Sequence, residues 1–231
     1  IGGAGFRIHR TKSLSWHYGE AAGRAEDRAE ELMSLIKDPE VKAIWSAMGG
    51  DACNQLLPLL DYKEIASNPK IIIGFSDITT LLLSIYHKSN LMTFHGPNVK
   101  DLTSIDQTSF HFLLEMLTSI NQDIKYPKFE VIKHGTAKGQ LIGGNLFIIN
   151  SLLSTTYSPS YKHAIVFIED IEEGMHTFEY QLYQLKNSGV LNKINGIVIG
   201  HIDQWDNQKQ PLTSLIFNVI EDLNIPIIWA D

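Results

Sequence analysis

The chain has one cysteine, Cys53, in 231 residues. That excludes an intrachain disulfide framework and fits a reducing, cytoplasmic setting, with the thiol as a small buried hydrophobe. No uninterrupted apolar run approaches the ~18 residues of a membrane span, and the first residues carry neither the basic region nor the apolar stretch of a signal peptide. Positive charge is also scarce: 19 Lys and Arg stand against 26 Asp and Glu, a formal net charge of −7. With no basic stripe, nucleic acid and anionic membrane are poor partners. The nine histidines contain no His-Glu-x-x-His and no metal-spaced cluster, and no phosphate-loop glycine spacing follows a strand. Small-molecule or peptide substrates are what this leaves, with no metal or cofactor called for.

What is present is an ordinary globular composition, 44% hydrophobic, enough to bury a core in one large domain or two small ones. Residues 21–37 carry apolar positions at three-four spacing and predict an amphipathic helix. Val41 to Met48 reads as a short strand ending in Gly49-Gly50, followed by a helical stretch from Asn54 to Leu60. The unit repeats: a strand at Lys70 to Ile73, a corner at Gly74-Phe75-Ser76, a helix to about His87, then a short strand from Leu91 to Phe94 before His95-Gly96-Pro97. Such alternation predicts an α/β fold with a mostly parallel, Rossmann-like sheet. The three strand-end turns should then share one rim, where sites lie in these sheets.

A helix over 109–118 closes the first part, and the polar stretch from Asn121 to Lys133 reads as a boundary. The expected organisation is an N-terminal domain over 1–120, a linker over 121–134 and a smaller C-terminal α/β domain over 135–231. In the latter, helices are expected near 146–153, 177–187 and 212–223, with strands at 164–168, 196–199 and 224–231. Both ends read as cut: residue 1 is Ile, and Asn224 to Asp231 is a strand with nothing after it.

Ser76 stands at the strand-to-helix corner, where a hydroxyl and the N–H of Asp77 could serve as nucleophile and oxyanion donor. On spacing alone it reads first as a helix N-cap, and the second glycine of Gly-x-Ser-x-Gly is absent. Gly49-Gly50 is either a tight connection or a close-approach turn able to complete an oxyanion hole. Glu169 and Asp170 close an apolar strand: one could orient a histidine, or both, with Glu172 and Glu173, could be a solvated strand end. His95 and His201 read first as structural or surface histidines rather than general bases.

Taken together, Gly49-Gly50, Asn54 to Tyr62, Asn68-Pro69-Lys70 with Gly74 to Thr79, Thr93 to Pro97, Gly143 to Leu146 and Ile168-Glu169-Asp170 closely resemble the LD-carboxypeptidase family of serine peptidases, S66. Pro69-Lys70 and Thr93 to Pro97 bring the resemblance nearest the branch containing the microcin C immunity peptidase. It implies a Ser-Glu-His triad on a two-domain fold, with Ser76 as nucleophile, Glu169 as acid, and oxyanion donors at Asp77 and Gly49 or Gly50. It also implies a homodimer, no cofactor, and substrates with a free carboxylate: a murein tetrapeptide or an aminoacyl conjugate. The family's Gly-His is not found after the last strand, so the base is expected beyond residue 231, and His201 stands one strand too early to replace it. The rival from another class is a catalytically silent peptide-binding module on the same fold. A nucleotide-binding regulator is a further rival.

Overall fold

The computed structural model of the chain describes residues 5–118, 129–171, 174–203, 205–206 and 209–230. Glu172, Glu173, Asp231 and residues 121–128 of the expected linker therefore lie outside the described residues. Two sheets are present. The first holds β1 (Ala43–Trp45), β2 (Ile71–Gly74) and β3 (Phe94–His95), all parallel, in the order β1-β2-β3. The second holds β4 (Glu130–Lys133), β5 (Leu141–Asn145), β6 (Ile165–Asp170), β7 (Gly196–Ile202) and β8 (Ile227–Trp229) in the order β4-β8-β7-β6-β5. Its pairings are parallel except β4 with β8.

The central strand of the first sheet is a run of isoleucines, Ile71 to Ile73, with Ile72 and Ile73 buried. Continuous apolar character marks a strand covered on both faces. Its covering elements are α1 (Ala25–Lys37), a 3-10 turn at Cys53–Leu59, α2 (Tyr62–Ser67) and α3 (Thr79–Ser89). Residues 79 to 85 of α3 are all buried, because this helix lies between β2 on one side and β5 and α5 (Leu146–Leu152) on the other. It ends at Asn90, left-handed at φ 53, where an Asn tolerates the turn that stops a helix. In the second sheet, Ile168 and Ile199 pack with Leu146, Ile149, Leu182 and Leu185 in the same continuous core. The remaining helices are α4 (Gln107–Thr118), α6 (Met175–Asn187) and α7 (Leu212–Ile220).

Several expectations shift. The helix expected at Ser76 begins as a 3-10 turn over Ser76–Ile78 and becomes α-helical only at Thr79. Residues 130–133, read as linker, form β4, since Val131-Ile132 supplies enough β-branched character for an edge strand. The strand expected to stop at Ile168 runs on through Asp170, so Glu169 and Asp170 are buried and not a solvated end. Helix α2 was not legible, being six residues long and held mainly by its cap: Asp61 Oδ1 accepts from the N–H groups of Lys63 and Glu64 at 3.0 Å.

Candidate active site

The carboxyl ends of the three parallel strands share a rim, as the alternation implied. Gly96 N–H donates to the Gly74 carbonyl, and Val99 and Lys100 donate to the carbonyls of Ser46 and Ala47. Asn98 is the knot of this rim. It is buried, its Oδ1 accepts from the Ser46 hydroxyl, and the Phe75 N–H points to the same oxygen at 3.4 Å. Trp45 Nε1 donates to the Pro97 carbonyl at 2.7 Å, closing the loop beneath it. Nothing in the spacing around Asn98 distinguishes it, in the sequence, from a loop residue.

Ser76 occupies the corner with φ 62, a left-handed conformation that is strained for a non-glycine residue. It is not the N-cap: that position belongs to Phe75, and no side chain caps the turn. The Ser76 hydroxyl faces the glycine turn instead. A Cβ placed on Gly49 would lie 3.0 Å from both Cβ and Oγ of Ser76 and 3.8 Å from the Asp77 nitrogen. Gly49 therefore leaves open the space beside the candidate nucleophile and the candidate oxyanion donor. Gly50 takes φ 155, a backbone that side chains rarely adopt.

The Asp77 side chain fixes that turn. Its Oδ2 accepts from the N–H groups of Ala52 and Cys53, both at 2.9 Å, and Thr80 Oγ1 approaches Oδ1 at 3.4 Å. Arg28 of α1 holds the other end of the same peptide, donating to the Ala52 carbonyl at 3.3 Å and to Gln55 Oε1 at 3.0 Å. The buried Cys53 thiol is pushed well up by burial and by the neighbouring Asp77 carboxylate, so it stays protonated.

Glu169 reaches the site from the second sheet. The two parts meet where α3 abuts β5: the Asn145 N–H donates to Thr79 Oγ1 at 3.3 Å. Asn145 also caps α5, its Oδ1 accepting from Ile148 N–H at 3.1 Å, while its Nδ2 lies 3.4 Å from Asp170 Oδ1. Glu169 is 5% exposed, and burial, reinforced by the Asp170 charge and opposed by the Asn145 amide, raises it to about 8. Its Oε1 lies 3.8 Å from Nε2 of His95, a ring set edge-on to Phe75 and Phe167. The structure thus gathers Ser76, Asp77, Gly49 and Gly50 at one corner and brings Glu169 to His95. His201 is exposed on β7. Among the described residues no group of three or more His, Cys, Asp or Glu could hold a metal ion, and no helix is long and apolar enough to cross a membrane.

The LD-carboxypeptidase N-terminal domain matches residues 2–96, and the LD-carboxypeptidase C-terminal domain matches residues 138–230. The murein tetrapeptide carboxypeptidase of Pseudomonas aeruginosa is 31% identical over 85% of this chain and 67% of its own length. The microcin C7 self-immunity protein MccF of Escherichia coli is 30% identical over 90% of this chain and 70% of its own. A solved structure of MccF in complex with aspartyl sulfamoyl adenosine superposes with a TM-score of 0.91 at 26% identity, covering 100% of this chain and 79% of that one. With both domains matched in order and relatives of this similarity, the chain belongs to the LD-carboxypeptidase family, S66, and is a peptidase-type hydrolase.

Proposed function

We propose that the protein is a serine carboxypeptidase or amidase that cleaves peptide or amide bonds in substrates bearing a free carboxylate. Ser76 attacks the carbonyl, and the N–H of Asp77 with one from Gly49 or Gly50 holds the oxyanion. Glu169 orients the histidine that the family resemblance implies, in the manner of a triad. That histidine takes the Ser76 proton and returns it to the leaving amine, and water then releases the acyl-enzyme. The observation that carries this reading is Ser76 itself, held at φ 62 against a glycine whose missing side chain leaves its hydroxyl open. Strain of this kind persists only where surrounding contacts impose it, and here Asn98 and Asp77 do so from either side.

The substrate is proposed to be either a murein tetrapeptide or an aminoacyl conjugate of the microcin type. The name of the Pseudomonas relative supports the first and the ligand in the MccF structure the second. No cofactor enters the scheme. A homodimer in the cytoplasm is part of the same proposal.

The test is a fluorophosphonate probe on the full-length protein. Labelling that Ser76→Ala abolishes is expected. A folded, full-length protein that does not label would leave a silent peptide-binding module as the better description.

A further inference from the structure

His95 is half-buried beside the candidate acid, yet the reaction just described gives it no task. Its place is built by several elements. Strand β3 pairs it with Gly74, Phe75 and Phe167 pack edge-on to its ring, and Gly144 makes room for it. A Cβ on Gly144 would fall 2.7 Å from Thr79 Cγ2 and 3.2 Å from His95 Nδ1. Among the described residues, neither Nδ1 of His95 nor Oε1 of Glu169 has a hydrogen-bond partner, although both atoms are buried. A buried polar atom without a partner is costly, and Glu169 Oε1 faces the other ring nitrogen of His95, Nε2, at 3.8 Å.

We propose that His95 is the positioning residue of Glu169: its Nε2–H closes on Oε1 and holds the carboxylate ionised and oriented. This rests on Glu169 being the triad acid. A shift of about 1 Å from the observed 3.8 Å brings the pair into hydrogen-bond range.

The need for such a donor follows from the surroundings. Asp170 lies next in the strand, and burial with that charge favours a protonated Glu169, which could not stabilise an imidazolium. The Asn145 amide on β5 opposes this, Gly200 on β7 offers no side chain, and His201 on the same strand is exposed. Asp77 has its carboxylate on the Ala52 and Cys53 N–H groups. His95 supplies what is missing. Burial lowers it to about 4, so at neutral pH the ring is uncharged and carries a single N–H to give. No net charge is added, and the proton stays on His95.

The experiment is an infrared pH titration of full-length protein, isolating the Glu169 carboxyl band as the difference from Glu169→Gln. In His95→Phe the midpoint is expected to move up by about one pH unit or more, and His95→Gln, which restores an amide donor, should recover most of it. The acid limb of kcat/KM should move with it. A midpoint unchanged or lowered in His95→Phe overturns the proposal. Should that variant not fold, the nitrogen-15 spectrum of the parent decides: a proton on Nε2 of His95 supports the pairing and one on Nδ1 overturns it. Because the infrared band does not depend on turnover, failure of fluorophosphonate labelling would remove the peptidase reading and leave the pairing to be judged on its own.

Discussion

The carboxylate of Asp77 lies 2.9 Å from the Cys53 N–H and at the same distance from that of Ala52. One residue thereby offers its own N–H to the candidate oxyanion site while its side chain anchors the loop that brings the second donor. Asp77→Ala would strand two N–H groups and is expected to cost about 2–4 kcal/mol in urea unfolding. Asp77→Asn keeps one acceptor oxygen and should lose less. Both should label more slowly at Ser76 than their stability alone explains, because the Asp77 backbone N–H survives while the glycine turn drifts.

Gly49 separates geometry from stability. In Gly49→Ala the added methyl would meet Ser76 Oγ at 3.0 Å, and labelling at Ser76 is expected to slow by about 10²-fold, comparable to losing one oxyanion donor. Thermal unfolding should move by less than about 1 kcal/mol, as the turn is half open to solvent. Full-rate labelling in this variant would argue against the turn as part of the site.

Asn145 offers a different split. Asn145→Ala removes the cap of α5 and is expected to destabilise by about 1–2 kcal/mol. Asn145→Asp retains the cap but sets a third carboxylate beside Asp170 and Glu169. Denaturation should then be close to the parent at acid pH, and the Glu169 titration should move further up.

Stability should depend on pH in a signed way. Burial raises Glu169 on folding, to about 8 where the His95 hydrogen bond is not made, so its contribution is fully present below about 4.5 and is lost as pH climbs through its folded value. Glu169→Gln is therefore expected to gain on the order of 1–3 kcal/mol at pH 8 relative to the parent, with little difference at pH 4.5. His95 acts oppositely. Depressed to about 4, its contribution is present above 6.5 and fades as pH falls towards 4, so the acid-side loss should persist in Glu169→Gln. Denaturation curves across pH 4 to 8 on both proteins read the two limbs separately.

The α/β alternation, the shared rim and the Ser76 corner were legible because each leaves a local mark: an isoleucine run, a glycine turn, a serine before a helix. The state of Glu169 was not. Whether an acid at a strand end is solvated or buried depends on how far the strand runs, and β6 continues two residues past its last apolar position because β5 and β7 flank it there. His95 was illegible for the same reason. Its partner is 74 positions away, and only the packing of α3 against β5 brings them together. The N-cap reading of Ser76 failed at a position whose backbone is set by its neighbours rather than by its own preference.

That backbone has a bearing on how the protein can change. At φ 62, Ser76 is held where glycine would rest more easily by about 1 kcal/mol. Under the proposed reaction, a Ser76→Gly replacement would abolish chemistry while making the fold more robust. If the nucleophile is this residue, the proposed activity and the ease of the backbone pull in opposite directions at one position.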